Sequence, residues 1–395
     1  MGQVTNSKRG AVIIGGDFQG LGIARNLAPM GIPIIMVDPG FCIGRFSRFT
    51  DKHFRCPPLD RVEAFIDFLV KLAIENRFEK VVLFPTTDRA VYLLSRYRVP
   101  LTPYYLVPTP PWETTRYAYD KKLTYQLAQA LDIPIPKTFF PESFKELRTL
   151  DLDFPVILKP AITANFFPIA KRKALQANNF VELHRHYAYA ASIIDQSEIM
   201  VQEVIQGGPR NLYSFCSLFR NGEVKAKMMA NRLRQHPMDF GSATTFAVTC
   251  HTPELEEVAT RFLKKINYYG LSEVEFMFDE KDNTFKLLEI NARTWGWHSL
   301  GAKAGINFSS LLFRDMHDES LEVDSFEGDV KWIRELTDVP IALSEVLKKR
   351  LRVGDYLKSL KGKKELAVYS SRDPLPFVAE LFLAPHHWYK RGFRI

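Results

Sequence analysis

The residues best suited to chemistry lie in two short runs near position 280. Glu273-Val274-Glu275-Phe276-Met277-Phe278 and Leu287-Leu288-Glu289-Ile290-Asn291-Ala292-Arg293 are separated by Asp279-Glu280-Lys281-Asp282-Asn283, a turn-forming segment. Side chains on a strand alternate between faces, so Glu289, Asn291 and Arg293 share one face, and Leu288 and Ile290 the other. In the first run Glu273, Glu275 and Met277 alternate with Val274, Phe276 and Phe278, and a hairpin closed through the turn brings Glu275 close to Glu289. Two carboxylates and an amide make an oxygen-ligand set for magnesium. Such an ion usually takes further ligands from substrate phosphates, which gives the nearby Arg293 a purpose. A plain half-solvated hairpin is the competing reading of these two runs alone.

Positioning such a site requires a large framework. With 395 residues, 46% of them hydrophobic and 25% charged, the chain is globular and long enough for two or more domains. The opening strand Ala11-Val12-Ile13-Ile14, the turn Gly15-Gly16-Asp17-Phe18-Gln19-Gly20, a helix, and the strand Ile34-Ile35-Met36-Val37-Asp38 form the first unit of a doubly wound sheet. The glycines do not follow the dinucleotide-binding spacing, so tight helix packing is the favoured role of this turn. Helix 61–76 leads to the strand Val81-Val82-Leu83-Phe84. Pro85-Thr86-Thr87-Asp88 then falls at that strand's carboxyl end, where open sheets place ligands. A proline-rich stretch from Val99 to Trp112 marks a domain boundary. Beyond it come a helix opening at Tyr119-Asp120-Lys121, the strand Phe154 to Pro160 with its terminal Lys159, the strand Ile199 to Gln206, and the basic strand Ala230-Asn231-Arg232-Leu233-Arg234. From about Leu321 the pattern weakens into a tail with its own strand, Leu366 to Tyr369.

Composition removes several function classes. No apolar run is long enough to cross a bilayer, and the first residues lack a signal peptide's apolar core. Cys42, Cys56, Cys216 and Cys250 are scattered, which fits reduced thiols in a cytoplasmic protein. The net charge of +8 is spread over most of the chain without a recognised nucleic-acid module, so phosphate-bearing small molecules are the expected partners and nucleic acid is not.

Asp120-Lys121, Val156 to Pro160, Val201-Gln202-Glu203-Val204-Ile205, Glu275 and Glu289 to Arg293 occur in one order, and that ordered set resembles the ATP-grasp superfamily. Within it, residues 10 to 315 look most like the carboxylate-amine ligases related to D-aspartate ligase. The resemblance implies an α/β and α+β chain. A Rossmann-like domain (1–112) would precede a small, lid-like ATP-grasp subdomain with its linker helix (113–203), a large subdomain with the metal site (204–320) and a C-terminal extension (321–395). It implies that Lys121 and Lys159 contact the phosphates of ATP, and that Gln202, Glu203, Val204 and Ile205 meet the adenine. Glu275, Glu289 and Asn291 would bind magnesium or manganese, and Arg293 the transferring phosphoryl group. One of Arg232 and Arg234 would face the triphosphate, the choice staying open because residues two apart on a strand face the same way. Asn211 stands near the place of a ribose ligand.

Two departures from the family pattern are visible. The segment Pro160 to Phe167 has no glycine-rich phosphate loop, and Lys171 and Lys173 after it either supply charge in its place or form a solvated basic loop. The second is Pro209-Arg210-Asn211 after Gly207-Gly208, where relatives often place an acidic residue for the ribose. Trp295, Trp297 and His298 follow Arg293 and either wall an acceptor pocket or pack. The implied activity is ADP-forming ligation of a small carboxylate, plausibly an amino acid, to an amine through an acyl phosphate. Bicarbonate activation, non-catalytic nucleotide sensing and dehydrogenation are the competing functions, and a homodimer is compatible with the family. The basic aromatic end, Leu381 to Ile395, is expected to pack on the body, with peripheral contact to an anionic membrane as the alternative.

Overall fold

The computed structural model describes residues 9–239, 241 and 243–390, with side chains through Leu383. Three sheets build the molecule. The first contains β1 (Gly10–Ile14), β2 (Ile34–Asp38), β3 (Lys52–Arg55), β4 (Val81–Pro85) and β5 (Tyr105–Leu106), parallel throughout in the order β3-β2-β1-β4-β5. Strands covered on both faces read as continuous apolar runs, and β1 and β4 are buried at every position. Alternate residues of β1 enter different cores. Ala11 and Ile13 pack with Leu21, Ile23 and Ala24 of helix Phe18–Leu27. Val12 and Ile14 pack with Phe65 and Leu69 of helix Val62–Asn76.

The glycine turn after β1 is filled. A Cβ on Gly15, which has φ +99°, would collide with the Thr86 hydroxyl, one on Gly16 with the Cys42 sulfur, and one on Gly20 with the Gly15 carbonyl. Asp38 accepts from the amides of Gly16 and Gly40, both at 2.8 Å. Those glycines serve close packing of helix on strand, as the irregular spacing suggests.

The second sheet comprises β6 (Thr138–Phe139), β7 (Val156–Pro160), β8 (Leu175–Ala177) and β9 (Ile199–Glu203), antiparallel in the order β6-β9-β7-β8. It has a core of its own, in which Val156, Leu158, Phe166 and Val201 meet Leu183 and Tyr187 of helix Phe180–Ala191. The glycine-free segment after β7 forms helix Thr163–Ala170, so the chain here needs none of the backbone freedom that glycine supplies to an open loop.

The third sheet runs β14-β13-β10-β11-β12-β15-β16. Its strands are β10 (Leu212–Arg220), β11 (Glu223–His236), β12 (Ala243–Thr249), β13 (Gly270–Asp279), β14 (Thr284–Asn291), β15 (Lys331–Ile333) and β16 (Lys364–Leu366). The last two come from beyond residue 320, so the segment read as an extension completes the large sheet. Phe246 of β12 pairs with Ile333, and Lys331 with Lys364. Without them β12 would present an unpaired edge. The strand expected at Leu366 to Tyr369 lies earlier, at Lys364–Leu366, while Ala367 and Val368 are buried beyond its end. No helix among the described residues is long and apolar enough to cross a membrane.

Candidate active site

A cleft of about 410 Å³ separates the second sheet from the third. Lys121, Lys159, Lys173, Gln202 to Pro209, Arg232, Glu275, Met277, Leu288 and Glu289 line it. Lys121 starts helix Lys121–Ala130, whose N-cap Asp120 accepts from the Lys122 amide, so the cap fixes where the lysine leaves the backbone. Lys159 projects from β7, and Gln202 to Ile205 form the end of β9 and the chain just beyond it.

On the opposite wall the β13–β14 register sets Glu275 against Glu289 and Glu273 against Asn291. The pairing then slips, from Glu275↔Glu289 to Phe276↔Leu287. Leu288 is the unpaired residue and lines the cleft beside Glu289, where simple alternation assigned it to the other face.

A second bulge decides between the two arginines. Regular alternation along β11 would aim Arg232 and Arg234 alike, but the β11–β12 register shifts between Asn231 and Arg234. Arg232 lines the cleft, 2.5 Å from a Glu275 oxygen and 3.6 Å from Glu273. Its Nε is buried with no hydrogen-bond partner among the described residues. Arg234 turns instead to helix Glu335–Leu347 and binds both oxygens of fully buried Asp338, at 2.8 and 2.9 Å, beneath the rings of Phe246 and Tyr356. A catalytic role for Arg234 therefore does not fit this geometry.

The remaining side chains form one charged network. Lys121 pairs with Glu289 at 2.9 Å, and Asn291 donates to Glu273 at 3.0 Å and to Glu275 at 2.8 Å. Arg293 donates to the Asn291 oxygen at 3.1 Å and to Asp88 at 2.6 Å. Alternation alone puts Glu273 on this strand face without assigning it a role, and Asp88 lies just beyond β4, at the carboxyl end where open sheets place ligands. Burial opposes charge on Glu289, yet Lys121, Lys173 and Lys159 hold its carboxyl well below the usual carboxylate range. Burial and the neighbouring Glu275 push Glu273 upward. Lys159 donates to the Tyr125 hydroxyl at 2.9 Å, and burial together with the charge of Lys121 pushes its ammonium down to about 7.

Several expected contacts go elsewhere. The Glu203 carboxylate accepts from the Lys137 amide at 2.7 Å and from Lys286 at 3.3 Å, leaving mainly its backbone to the cleft. Gln202 donates to Thr138 at 2.7 Å. Asn211, placed near a ribose in the sequence reading, gives its amide to the carbonyl of Phe278 at 3.2 Å and to Glu280 at 3.0 Å, and is absent from the cleft lining. Trp295, Trp297 and His298 are core residues, each no more than 1% exposed. Burial pushes His298 down to about 4, so it stays neutral, and it is absent from the cleft lining. Of the two candidate lysines after β7, Lys173 lines the cleft and Lys171 is exposed.

Glu275 and Glu289 form a hard-oxygen pair on the wall facing Lys121 and Lys159. No three His, Cys, Asp or Glu side chains among the described residues stand close enough to cage an ion. That donor set fits magnesium carried by a nucleotide, which takes one or two carboxylates and leaves its other positions to phosphates and water. A second cavity of about 690 Å³ adjoins the first, sharing Lys121, Thr163, Lys173 and Glu289, and reaches Thr87, Asp88 and Arg89 beyond β4. The two cavities thus meet at the cationic end of the cleft.

Residues 228–314 match the family model of the carbamoyl-phosphate synthase L chain, ATP binding domain. That match, with the cationic cleft between the second and third sheets, makes the chain similar to the ATP-grasp ligases. Over 332 residues the chain is 23% identical to a D-aspartate ligase of Enterococcus faecium (strain Aus0004), covering 80% of this chain and 78% of that one. An L-amino acid ligase from Bacillus licheniformis shares the fold with a TM-score of 0.59 and 16% identity, over 79% and 75% of the two chains. The biotin carboxylase domain of Hydrogenobacter thermophilus 2-oxoglutarate carboxylase, solved with MgADP and bicarbonate, gives 0.64 and 17% over 81% and 73%.

Proposed function

We propose that this protein is an ATP- and magnesium-dependent carboxylate-amine ligase that activates a small carboxylate, with an amino acid as one substrate, as its acyl phosphate. The observation that carries the reading is the convergence of Lys121, Lys159, Lys173 and Arg232 on the Glu275–Glu289 pair at the junction of two cavities. One cavity suits a nucleotide and the other a reacting partner.

A carboxylate is a poor acyl donor because its leaving group would be oxide, and phosphorylation replaces that with phosphate. Bringing two anions together is the main barrier, so the site must supply positive charge where water is scarce. Lys121 and Lys159 would hold the phosphates, Arg232 would offer its unpartnered N–H, and Arg293 would steady the transferring phosphoryl group. Glu275 and Glu289, with the amide of Asn291 beside them, would hold magnesium, which supplies Lewis-acid charge to the phosphate oxygens. The apolar wall of Ile157, Met277 and Leu288 suits a base, with backbone groups from Glu203 to Ile205 at its edge. The adjoining cavity would bind the carboxylate and the amine; transfer of the γ-phosphoryl group to the carboxylate would release ADP, and the amine would then attack the acyl phosphate to give the amide, phosphate and a proton.

The test is ADP release from the purified chain across a panel of amino acids. Release that requires both a carboxylate and an amine supports the reading. Release on bicarbonate alone moves the function to carboxyphosphate chemistry. Nucleotide binding without turnover on any pair leaves a sensor.

A further inference from the structure

The charge of the chain is less evenly spread than its composition suggests. Residues 348–364 contain eight Lys and Arg against the single Asp355, most of the net +8 of the whole sequence. Lys348 and Arg350 lean on Glu345, and Lys363 on Glu327. Lys349, Arg352, Lys358 and Lys361 are exposed, with no acidic partner among the described residues. The same stretch carries apolar side chains that packing leaves outside. Helix Glu335–Leu347 buries Asp338, Ile341, Ala342 and Glu345. Its outer stripe is Val339, Leu343 and Leu347, spaced by four, and Leu347 is 75% exposed. Val353 and Leu357 repeat that spacing on the next helix, Val353–Ser359, each 56% exposed.

An unpaired cation cluster interleaved with exposed aliphatic side chains has a specific complement. Nucleic acid would take the cations but has no use for Leu347, Val353 and Leu357. A second copy of this face would bring like charges together. A bilayer with anionic headgroups satisfies both, since aliphatic groups enter the headgroup boundary while lysine and arginine pair with lipid phosphates. We propose that helices Glu335–Leu347 and Val353–Ser359 form a docking face for an anionic lipid surface. Arg350 pairs with Asp239 at 3.1 Å, and Asp239 lines the cleft, so the docked face adjoins the rim of the candidate site. None of the residues that carry this face belongs to the aromatic tail, and it does not rest on the ligase reading.

The experiment is co-sedimentation of the full-length protein with phosphatidylcholine vesicles, with and without phosphatidylglycerol. Binding is expected only to the anionic vesicles and weakens as salt is raised. Replacing Lys349, Arg352, Lys358 and Lys361 with Gln lowers it by roughly tenfold or more. Leu347→Asp lowers it several-fold, with the thermal midpoint and nucleotide binding unchanged in both variants. Equal partitioning to neutral vesicles, no partitioning to either, or full retention in the Gln variant overturns the proposal. So does an equal loss on changing Lys390, Arg391 and Arg394 to Gln, which would assign the contact to the tail. Duplex DNA binding or self-association that accounts for the cations without vesicle binding overturns it as well.

Discussion

The two walls of the cleft hold their charge in different ways. On the wall made by the large sheet every carboxylate is already matched, with Glu275 on Arg232, Glu289 on Lys121, and Asn291 bridging Glu273 and Glu275. On the wall made by the small sheet Lys159 leans on a tyrosine hydroxyl and has no carboxylate within ion-pair distance among the described residues. The first wall can take magnesium and phosphates only by exchanging partners it already has. The second gains its full charge only when an anion arrives. Pre-paired charges keep a buried acidic wall from the cost of isolated ions, whereas a half-neutral lysine ties ligand affinity to proton uptake.

Removing one pre-paired group should have the largest effect. Glu289→Ala takes away a proposed magnesium ligand and the partner of Lys121, and should lower turnover about a thousandfold, the upper range for loss of one preorganised electrostatic group. Circular dichroism should be unaltered, and an unaltered ADP-release rate would break the assignment of that wall. The arginines of β11 sharpen the contrast. Arg234→Ala strands the fully buried Asp338 and should reduce unfolding free energy by about 3 kcal/mol in urea titrations. Arg232→Ala should act chiefly on turnover.

The opposite wall is tested through Lys159. Lys159→Ala should weaken nucleotide binding by about 2 kcal/mol, roughly thirtyfold, as a charge-assisted phosphate contact is lost. In the native chain, a polyanion favours the protonated lysine. Below pH about 7 the ammonium is already present, and above it binding must take up a proton. The dissociation constant for MgADP should therefore rise with pH from about 7, by at most about tenfold per pH unit, and Lys159→Arg should flatten the rise. A profile identical in native and variant protein would remove the lysine from the phosphate site.

What could be read from the sequence followed regular periodicity. The alternation of Glu273, Glu275, Glu289 and Asn291 with apolar residues is intact over most of the hairpin, so the acidic face was legible. Leu288 and the Arg232–Arg234 pair were misread or left open because a bulge inserts one residue and reverses facing beyond it, and neither bulge has a glycine to announce it. β15 and β16 are three residues each, too short for any period to register. The Asp88–Arg293 pair joins positions 205 residues apart, a contact set by how the first sheet docks and by no local pattern.

The smallest expected effect concerns Asn211. Its amide donates to the Phe278 carbonyl and to Glu280, and a Cβ on Gly207 would run into it, so the side chain fastens the turn after β9 to the end of β13. A residue engaged in that way has no amide hydrogen left to offer a ribose. Asn211→Ala should cost about 1 kcal/mol of stability, the worth of a partly buried hydrogen bond, while changing ADP affinity less than about twofold. Isothermal titration beside a thermal melt separates the two quantities. A tenfold loss of affinity with an unchanged melt would mean that the side chain leaves Glu280 for the nucleotide, and that end of the cleft would then exchange partners on binding, as is proposed for the acidic wall.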